Sequence, residues 1–306
     1  MVSSGDLSEP SKPPVWQPLT FGGVAGFARV RWTRLLLLQG IVAALVAVNV
    51  VLLLGRGWFP VVTQAVQGLN DFGAVRGARL AWPAKEAVVL AENRFLGLVV
   101  DLEESGGTGQ IADLQIEFSR ERIKVVSLLG YTSLPYPGGV EIELNRQTLD
   151  PWWNAWRPAF MFGGAFGTML FLFASWSALA VLYAVPVRVL AWFAGRAASP
   201  GKSWRVAAAA LLPGAVWMGG AVFLYAVEQL SLVGLGAAFG LHFVVGWVYV
   251  LGAPFCLPRK DADPLATGTN PFTPAPAAEA QPPASPAPSA SSNPFQSPPP
   301  PPPDNG

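Results

Sequence analysis

Cysteine, histidine and charge are all scarce in this chain of 306 residues. The only Cys is Cys256 and the only His is His242. An internal disulfide and a zinc site built from Cys/His clusters are therefore excluded. A Ser/His/Asp triad would have one His to draw on. Charged residues make up 13% of the chain against 52% hydrophobic, with mean hydropathy +0.39. Soluble domains average about 25% charge, so this deficit argues against an ordinary soluble enzyme and for a membrane protein. A net charge of +1 and a pI near 7.9 supply no field for nucleic acid. H-E-x-x-H, G-x-S-x-G, a P-loop and a calcium-loop pattern are all missing. No cofactor and no metal are expected, and the reading is non-enzymatic.

What the chain does have is long apolar runs. Residues 35–55 and 159–185, and two further runs at roughly 206–227 and 230–255, contain no Asp, Glu, Lys or Arg. Each is about the ~20 residues needed to cross a hydrocarbon core. In lipid each must be helical to pair its own backbone. More than thirty residues precede the first run, so an uncleaved signal-anchor is expected rather than a signal peptide. The expected fold class is an α-helical integral membrane protein with four transmembrane helices. A small α+β extracytoplasmic domain, residues 56–158, lies between helices 1 and 2.

Orientation follows from Lys and Arg near the helix ends. Arg29, Arg31 and Arg34 precede helix 1; Arg188, Arg196, Lys202 and Arg205 fall in the 186–205 loop; Arg259 and Lys260 follow helix 4. All three clusters place both termini, including the segment 1–34, in the cytoplasm. The ten basic residues of 56–158 do not contradict this, because long loops translocate regardless of charge. Trp32, Trp152, Trp153, Trp156, Trp192 and Trp204 flank the runs, where indole rings favour the headgroup level.

Within 56–158, Val62, Ala65, Val66 and Leu69 have helical spacing, which predicts an amphipathic helix continuing from helix 1. Leu80 and Trp82 share one face of a short strand ended by Pro83. Phe95–Leu102 is an apolar run, and Leu114, Ile116 and Phe118 alternate with polar residues as in a half-buried strand. Three or four strands are expected. Asp101, Glu103, Glu104 and Asp113 interleave with Arg94, Arg120, Arg122 and Lys124, and the expectation is a solvated mixed-charge face rather than paired catalytic carboxylates.

Inside the membrane, His242 lies mid-way along helix 4. An ionisable group at that depth is a functional candidate. The structural alternative is a neutral ring bonded across the bundle to Tyr225, Ser175 or Ser177. Gly163/Gly167 and Gly236/Gly240 match G-x-x-x-G and predict close packing of helices 2 and 4, internally or against a second copy. Pro213 predicts a kink and Pro254 a terminus. Glu228, at the outer end of helix 3, is expected to be wet.

The ends differ in character. Residues 1–20 are polar and expected to be disordered up to about Trp16, while Phe21, Val24, Phe27 and Val30 fit either an interfacial helix or a continuation of helix 1. Residues 261–306 hold half of the 30 Pro, six of them consecutive, and have no apolar periodicity. This Pro-rich tail carries Asn270-Pro271-Phe272 and Asn293-Pro294-Phe295. The pair resembles the Asn-Pro-Phe ligands of eukaryotic EH domains and could dock a cytoplasmic partner by avidity. A solubilising linker is the alternative.

The stretches FARVRWTRLLLLQ, FPVVTQAVQGL and FLGLVVDLEE, in this layout, resemble a bacterial integral-membrane family, the domain of unknown function number 1189. The resemblance covers about 20–258, and the Pro-rich tail departs from it. It implies a bacterial inner membrane and carries over no functional residue, since members have no established activity. The leading expectation is a scaffold, sensor or accessory subunit that meets the lipid bilayer and a membrane-protein partner or a second copy of itself. The alternative is a transport-related component using His242.

Overall fold

The computed structural model describes residues 17–69, 73–139 and 141–259. Four helical stretches are long and apolar enough to cross a membrane, and a small sheet domain is inserted between the first and the second. A short helix α1, Phe21–Gly26, and a 3-10 turn, Phe27–Arg29, come first. Thr20 caps α1 by accepting from the Gly23 N–H at 3.0 Å. The chain then turns extended at Val30 and Arg31 before α2, Trp32–Leu53. The Phe21–Val30 segment is thus a separate element, not a continuation of helix 1. It buries Val24, Phe27 and Val30 against the bundle.

A π-helical turn, Leu54–Trp58, joins α2 to α3, Phe59–Gly68. Pro60 has no N–H to donate to the preceding turn, which accounts for the loosened ladder there. The second run is longer than its apolar core of 159–185. Helix α4 spans Arg146–Phe193, 48 residues, because Asn145 caps it well outside that core by accepting from the Thr148 N–H at 2.8 Å. The 186–205 segment is correspondingly not a free loop. Helix α4 continues to Phe193 and α5, Pro200–Ala210, begins before the third apolar run does. Leu211 separates α5 from α6, Leu212–Ala226, at the break that Pro213 imposes. Helix α7 is Leu232–Gly252, started by the Ser231 cap, and a 3-10 turn, Ala253–Cys256, follows it at Pro254.

The helices pack α2 on α4 and α6, α4 on α5, and α6 on α7. Ala207, Ala208, Ala209 and Ala210 are fully buried, so the small faces of α5 let it sit in the middle of the bundle. Three of the four long stretches leave most of their apolar surface uncovered, with Leu37, Phe162, Phe171 and Leu182 each more than half exposed. Arg196 and Arg205 lie at the bundle end away from the sheets, whereas Arg56, Arg146 and Arg157 lie at the sheet end. Arg205 donates to the Ala28 and Val30 carbonyls, both at 2.9 Å, and Arg196 to the Leu257 carbonyl at 2.6 Å.

Among the described residues the inserted domain has eight strands, not three or four. Strands β1 Gly73–Arg76, β2 Arg79–Ala81 and β8 Ile142–Leu144 form one antiparallel sheet in the order β2-β1-β8. Strands β3 Val88–Glu92, β4 Leu96–Val100, β5 Leu114–Phe118, β6 Arg122–Ser127 and β7 Gly130–Pro135 form the second in that order, with β4 and β5 parallel. Three- and four-residue strands are too short to show alternation, and β7 is exposed along its whole length, so neither kind leaves a period-two signal. Val61 and Ala65 of α3 pack on Ala91, Leu96 and Leu98.

Candidate functional site

Three places were candidates for chemistry: the strand carboxylates, His242 and the tail. The carboxylates are not one solvated face. Strand β5 lies inside its sheet, and its polar side is the more buried one, with Gln115 fully buried and Glu117 nearly so. The loop between β4 and β5 folds over that side. Gln115 donates to the Gly109 carbonyl at 3.0 Å and to Glu117 Oε1 at 2.8 Å, and accepts from the Ile111 N–H at 2.9 Å. Those bonds satisfy loop backbone that would otherwise be orphaned. Glu117 also faces its cross-strand partner Lys124 at 3.4 Å.

Asp101 is buried as well and starts the same loop, accepting from Ser105 Oγ and the Gly106 N–H, both at 3.0 Å. Burial opposes its ionisation, but these hydrogen bonds outweigh burial and hold the carboxyl below its ordinary value. Glu104 pairs with Arg122 at 2.9 Å on the surface. Tyr136 donates to the Ser119 carbonyl at 3.0 Å, and burial pushes its phenol up to about 12, so it stays a neutral donor. Each of these groups has a structural task in the loop or sheet. Among the described residues no cluster of three His, Cys, Asp or Glu could hold a metal ion.

His242 lines a cavity of about 280 Å³ between α2, α4, α6 and α7. Phe239 and Phe243 flank it on α7, Ser175 and Trp176 face it from α4, and Met218 from α6. The cross-bundle bonds expected for His242 are not made. Its Nδ1 meets the Phe239 carbonyl of its own helix. Ser175 and Ser177 spend their hydroxyls on the Leu172 and Phe173 carbonyls, at 3.0 and 2.7 Å. Tyr225 is engaged elsewhere. Helical Ser hydroxyls reach back to a carbonyl three or four residues earlier more readily than across a gap. With Nδ1 on a carbonyl, a neutral imidazole keeps one acceptor, Nε2. No Asp, Glu, Lys or Arg lines the cavity, so it offers a mostly apolar space in which His242 is joined by the hydroxyls of Ser175 and Tyr183 and by no charged side chain.

The G-x-x-x-G pairs do not make the close helix contacts within the chain. A Cβ at Gly163, Gly167, Gly236 or Gly240 would meet nothing within 4 Å. The close approach is at Gly214, where a Cβ would sit 2.6 Å from the His242 carbonyl oxygen. The paired tail motifs Asn270–Phe272 and Asn293–Phe295 lie outside the described residues, as does Lys260.

A set of long-range polar contacts lies where the sheet domain meets the bundle. Arg94, between β3 and β4, donates to the Glu228 carbonyl at 3.0 Å and the Leu230 carbonyl at 2.6 Å. It thereby caps the turn between α6 and α7, where Glu228, itself exposed, adopts φ +64°. Tyr225 donates to Asp113 Oδ2 at 2.9 Å and packs edge-on against Phe95, with ring centroids 5.0 Å apart. Asn93 donates to the Gly57 carbonyl at 2.6 Å in the π-helical turn, and its Oδ1 accepts from the Phe95 and Leu96 N–H groups. Higher up, Trp153 Nε1 donates to Thr63 Oγ1 at 2.9 Å, tying α4 to α3. Sequence spacing does not reveal this junction, because its partners lie 36 to 136 residues apart. The one local signal is Asn93-Arg94 breaking an apolar stretch just where a turn is needed.

No family model, curated protein or solved structure matches the chain. The likeness to the domain of unknown function number 1189 therefore stays one of layout.

Proposed function

We propose that the four long helices span a membrane and that the chain is a non-enzymatic sensor, scaffold or accessory subunit. Its sheet domain stands outside, and both termini lie in the cytoplasm. The uncovered apolar surface of α2, α4 and α7 supports insertion, since helices apolar all round belong in a core or a bilayer. Outside the long inserted segment, which translocates regardless of charge, the Arg and Lys residues near the helix ends cluster at 29–34, 188–205 and 259–260, and this supports the orientation. A bacterial inner membrane is the location that the resemblance in layout implies.

One observation carries the sensor or scaffold reading: the polar junction of Asn93, Arg94, Asp113 and Tyr225 with the bundle. A domain merely tethered by loops could move without consequence for the helices. Here a shift of the sheets must break bonds to α6 and to the turn before α7. A partner or ligand that moves the sheet domain is therefore felt in the bundle. An apolar cavity of about 150 Å³ between α3 and the sheets, lined by Val66, Leu98 and Phe118 among others, gives that domain an interior that could respond.

The alternative, a transport-related component with a site at His242, has the 280 Å³ cavity in its favour and the lack of any charged side chain in its lining against it. Crosslinking in native membranes followed by mass spectrometry separates the two. On our reading the sheet domain is joined repeatedly to one membrane protein or to a second copy. Crosslinks no richer than background, with His242→Gln abolishing a phenotype at normal abundance, would favour transport.

A further inference from the structure

The β6–β7 hairpin turns through Leu128 and Leu129. Water-facing hairpin turns of two residues favour Asn, Asp and Gly, which tolerate the turn backbone and hydrogen-bond to solvent. Two leucines there break that rule. Gly130 supplies the one positive φ here and the leucines do not, so their cost is exposure of apolar side chains to water rather than backbone strain, and such breaches concentrate where function demands them. Leu129 is 98% exposed, Leu128 59% and the neighbouring Tyr131 73%. Among the described residues none covers them. The turn is held by the Leu129 N–H donating to Ser127 Oγ at 3.3 Å, and Gly130 takes φ +116°, so the leucines are presented by an ordered turn.

Strand register fixes where this tip lies. Ser127 pairs with Leu114 across β6 and β5, and Leu114 pairs with Leu96 across β5 and β4. These three residues therefore form one row at one end of the sheet. That end rests on the bundle. Asp113, just before Leu114, accepts from Tyr225 at the end of α6, and Arg94 and Phe95, just before Leu96, touch the α6–α7 turn and Tyr225. Leu128 and Leu129 extend beyond the row, in the direction of the bundle, by about 3.3 Å per residue. They stand one strand over from Asp113, about 5 Å to the side. The opposite end of the same hairpin, at Glu121 and Tyr136, faces away from the helices.

We infer that the Leu128–Leu129 tip is seated in the outer headgroup layer of the bilayer that the bundle spans, as a second, lateral anchor for the sheet domain. The inference rests on the spanning reading above. The occupant is lipid rather than another sheet, because the free edge of β7 reads Thr132-Ser133-Leu134-Pro135, and a Pro on an edge strand obstructs strand addition. The tip is also continuous in level with the uncovered apolar surface of the helices. Tyr131 beside it, with Lys124 Nζ 5.3 Å from its ring centroid, is the amphipathic kind of residue found at a headgroup boundary. The anchor restrains the sheet domain on the side away from α3 and α4, so its tilt follows the membrane surface.

The test uses the full chain with Cys256→Ser, carrying one bimane label at Leu129→Cys, Glu121→Cys or Val181→Cys, in phosphatidylcholine vesicles. Val181, within the 159–185 apolar run of α4 and 62% exposed, reports on spanning. Brominated phosphatidylcholine is expected to quench the labels at 181 and 129 and to spare that at 121, while aqueous iodide quenches 121 far more than 129. Quenching of 181 by brominated lipid with 129 open to iodide overturns the hairpin anchor and leaves spanning intact. A label at 129 reached by neither quencher means that protein covers the tip, which also overturns it. Failure of brominated lipid to quench 181 overturns spanning and the anchor together.

Discussion

The Tyr225 hydroxyl, at the last turn of α6, donates to the Asp113 carboxylate at the mouth of β5 across 2.9 Å and 112 residues of sequence. It is the bond through which the sheet domain holds the third long helix. Tyr225→Phe keeps the edge-on ring against Phe95 and removes only the hydroxyl. It should cost about 1.5 kcal/mol, the low end for a bond to a carboxylate acceptor. Faster hydrogen exchange around 113–115 in the variant, with helix content unchanged, is the expected readout.

Arg94 serves two carbonyls with one planar fork, a task that a lysine cannot share out. Arg94→Lys should therefore behave nearly as Arg94→Ala does. Both should raise proteolysis within 227–231 in detergent-solubilised protein, while Arg79→Lys, at an exposed ion pair with Glu121, should not. Equal cleavage in all three variants and the parent would show that the cap is dispensable.

The loop that covers β5 should be sensitive to acid. The Asp101 carboxyl titrates below its ordinary value of 3.8 in the folded chain. The folded state thus favours the carboxylate, and the stability this supplies is complete above the unfolded value and lost as pH falls through the folded one. Thermal melting of the parent should decline as pH drops below about 4. Asp101→Asn should start lower and show less of that decline, a difference that melting curves at a series of pH values will resolve.

Helix packing offers a contrast between glycines. Gly214→Ala drives a methyl toward the His242 carbonyl at 2.6 Å, a contact with backbone that cannot rotate away. It should destabilise the bundle by roughly 1–3 kcal/mol, as overpacking does. Gly163→Ala and Gly236→Ala meet open space and should leave the monomer's melting temperature unchanged or raise it slightly. Thermal melts of the three variants in one detergent decide the matter.

The contrast between glycines shows what is legible in a sequence of this kind. Apolar runs announce long helices, since length and hydropathy are local properties, and the α3 continuation was visible in the spacing of Val62, Ala65 and Val66. The real ends of α4 were not, because caps such as Asn145 lie outside the apolar core. Period two at Leu114–Phe118 identified a strand whose apolar side packs on the core under α3, but gave no sign that its polar side is covered too. Gln115 and Glu117 are covered by a loop whose fold depends on Asp101 and its turn. The same holds for Gly214 and for the junction at Arg94 and Tyr225: their partners are set by tertiary geometry, which a motif such as G-x-x-x-G does not encode.

Topology is the claim on which the rest depends, and paired reporters test it most directly. Alkaline phosphatase inserted at Gly107, in the loop over β5, should be active in an expressing bacterium, while green fluorescent protein fused after Lys260 should fluoresce. That result places the sheet domain outside and the C-terminus inside, as four spans and the basic clusters require. Both reporters on the same side of the membrane would contradict it.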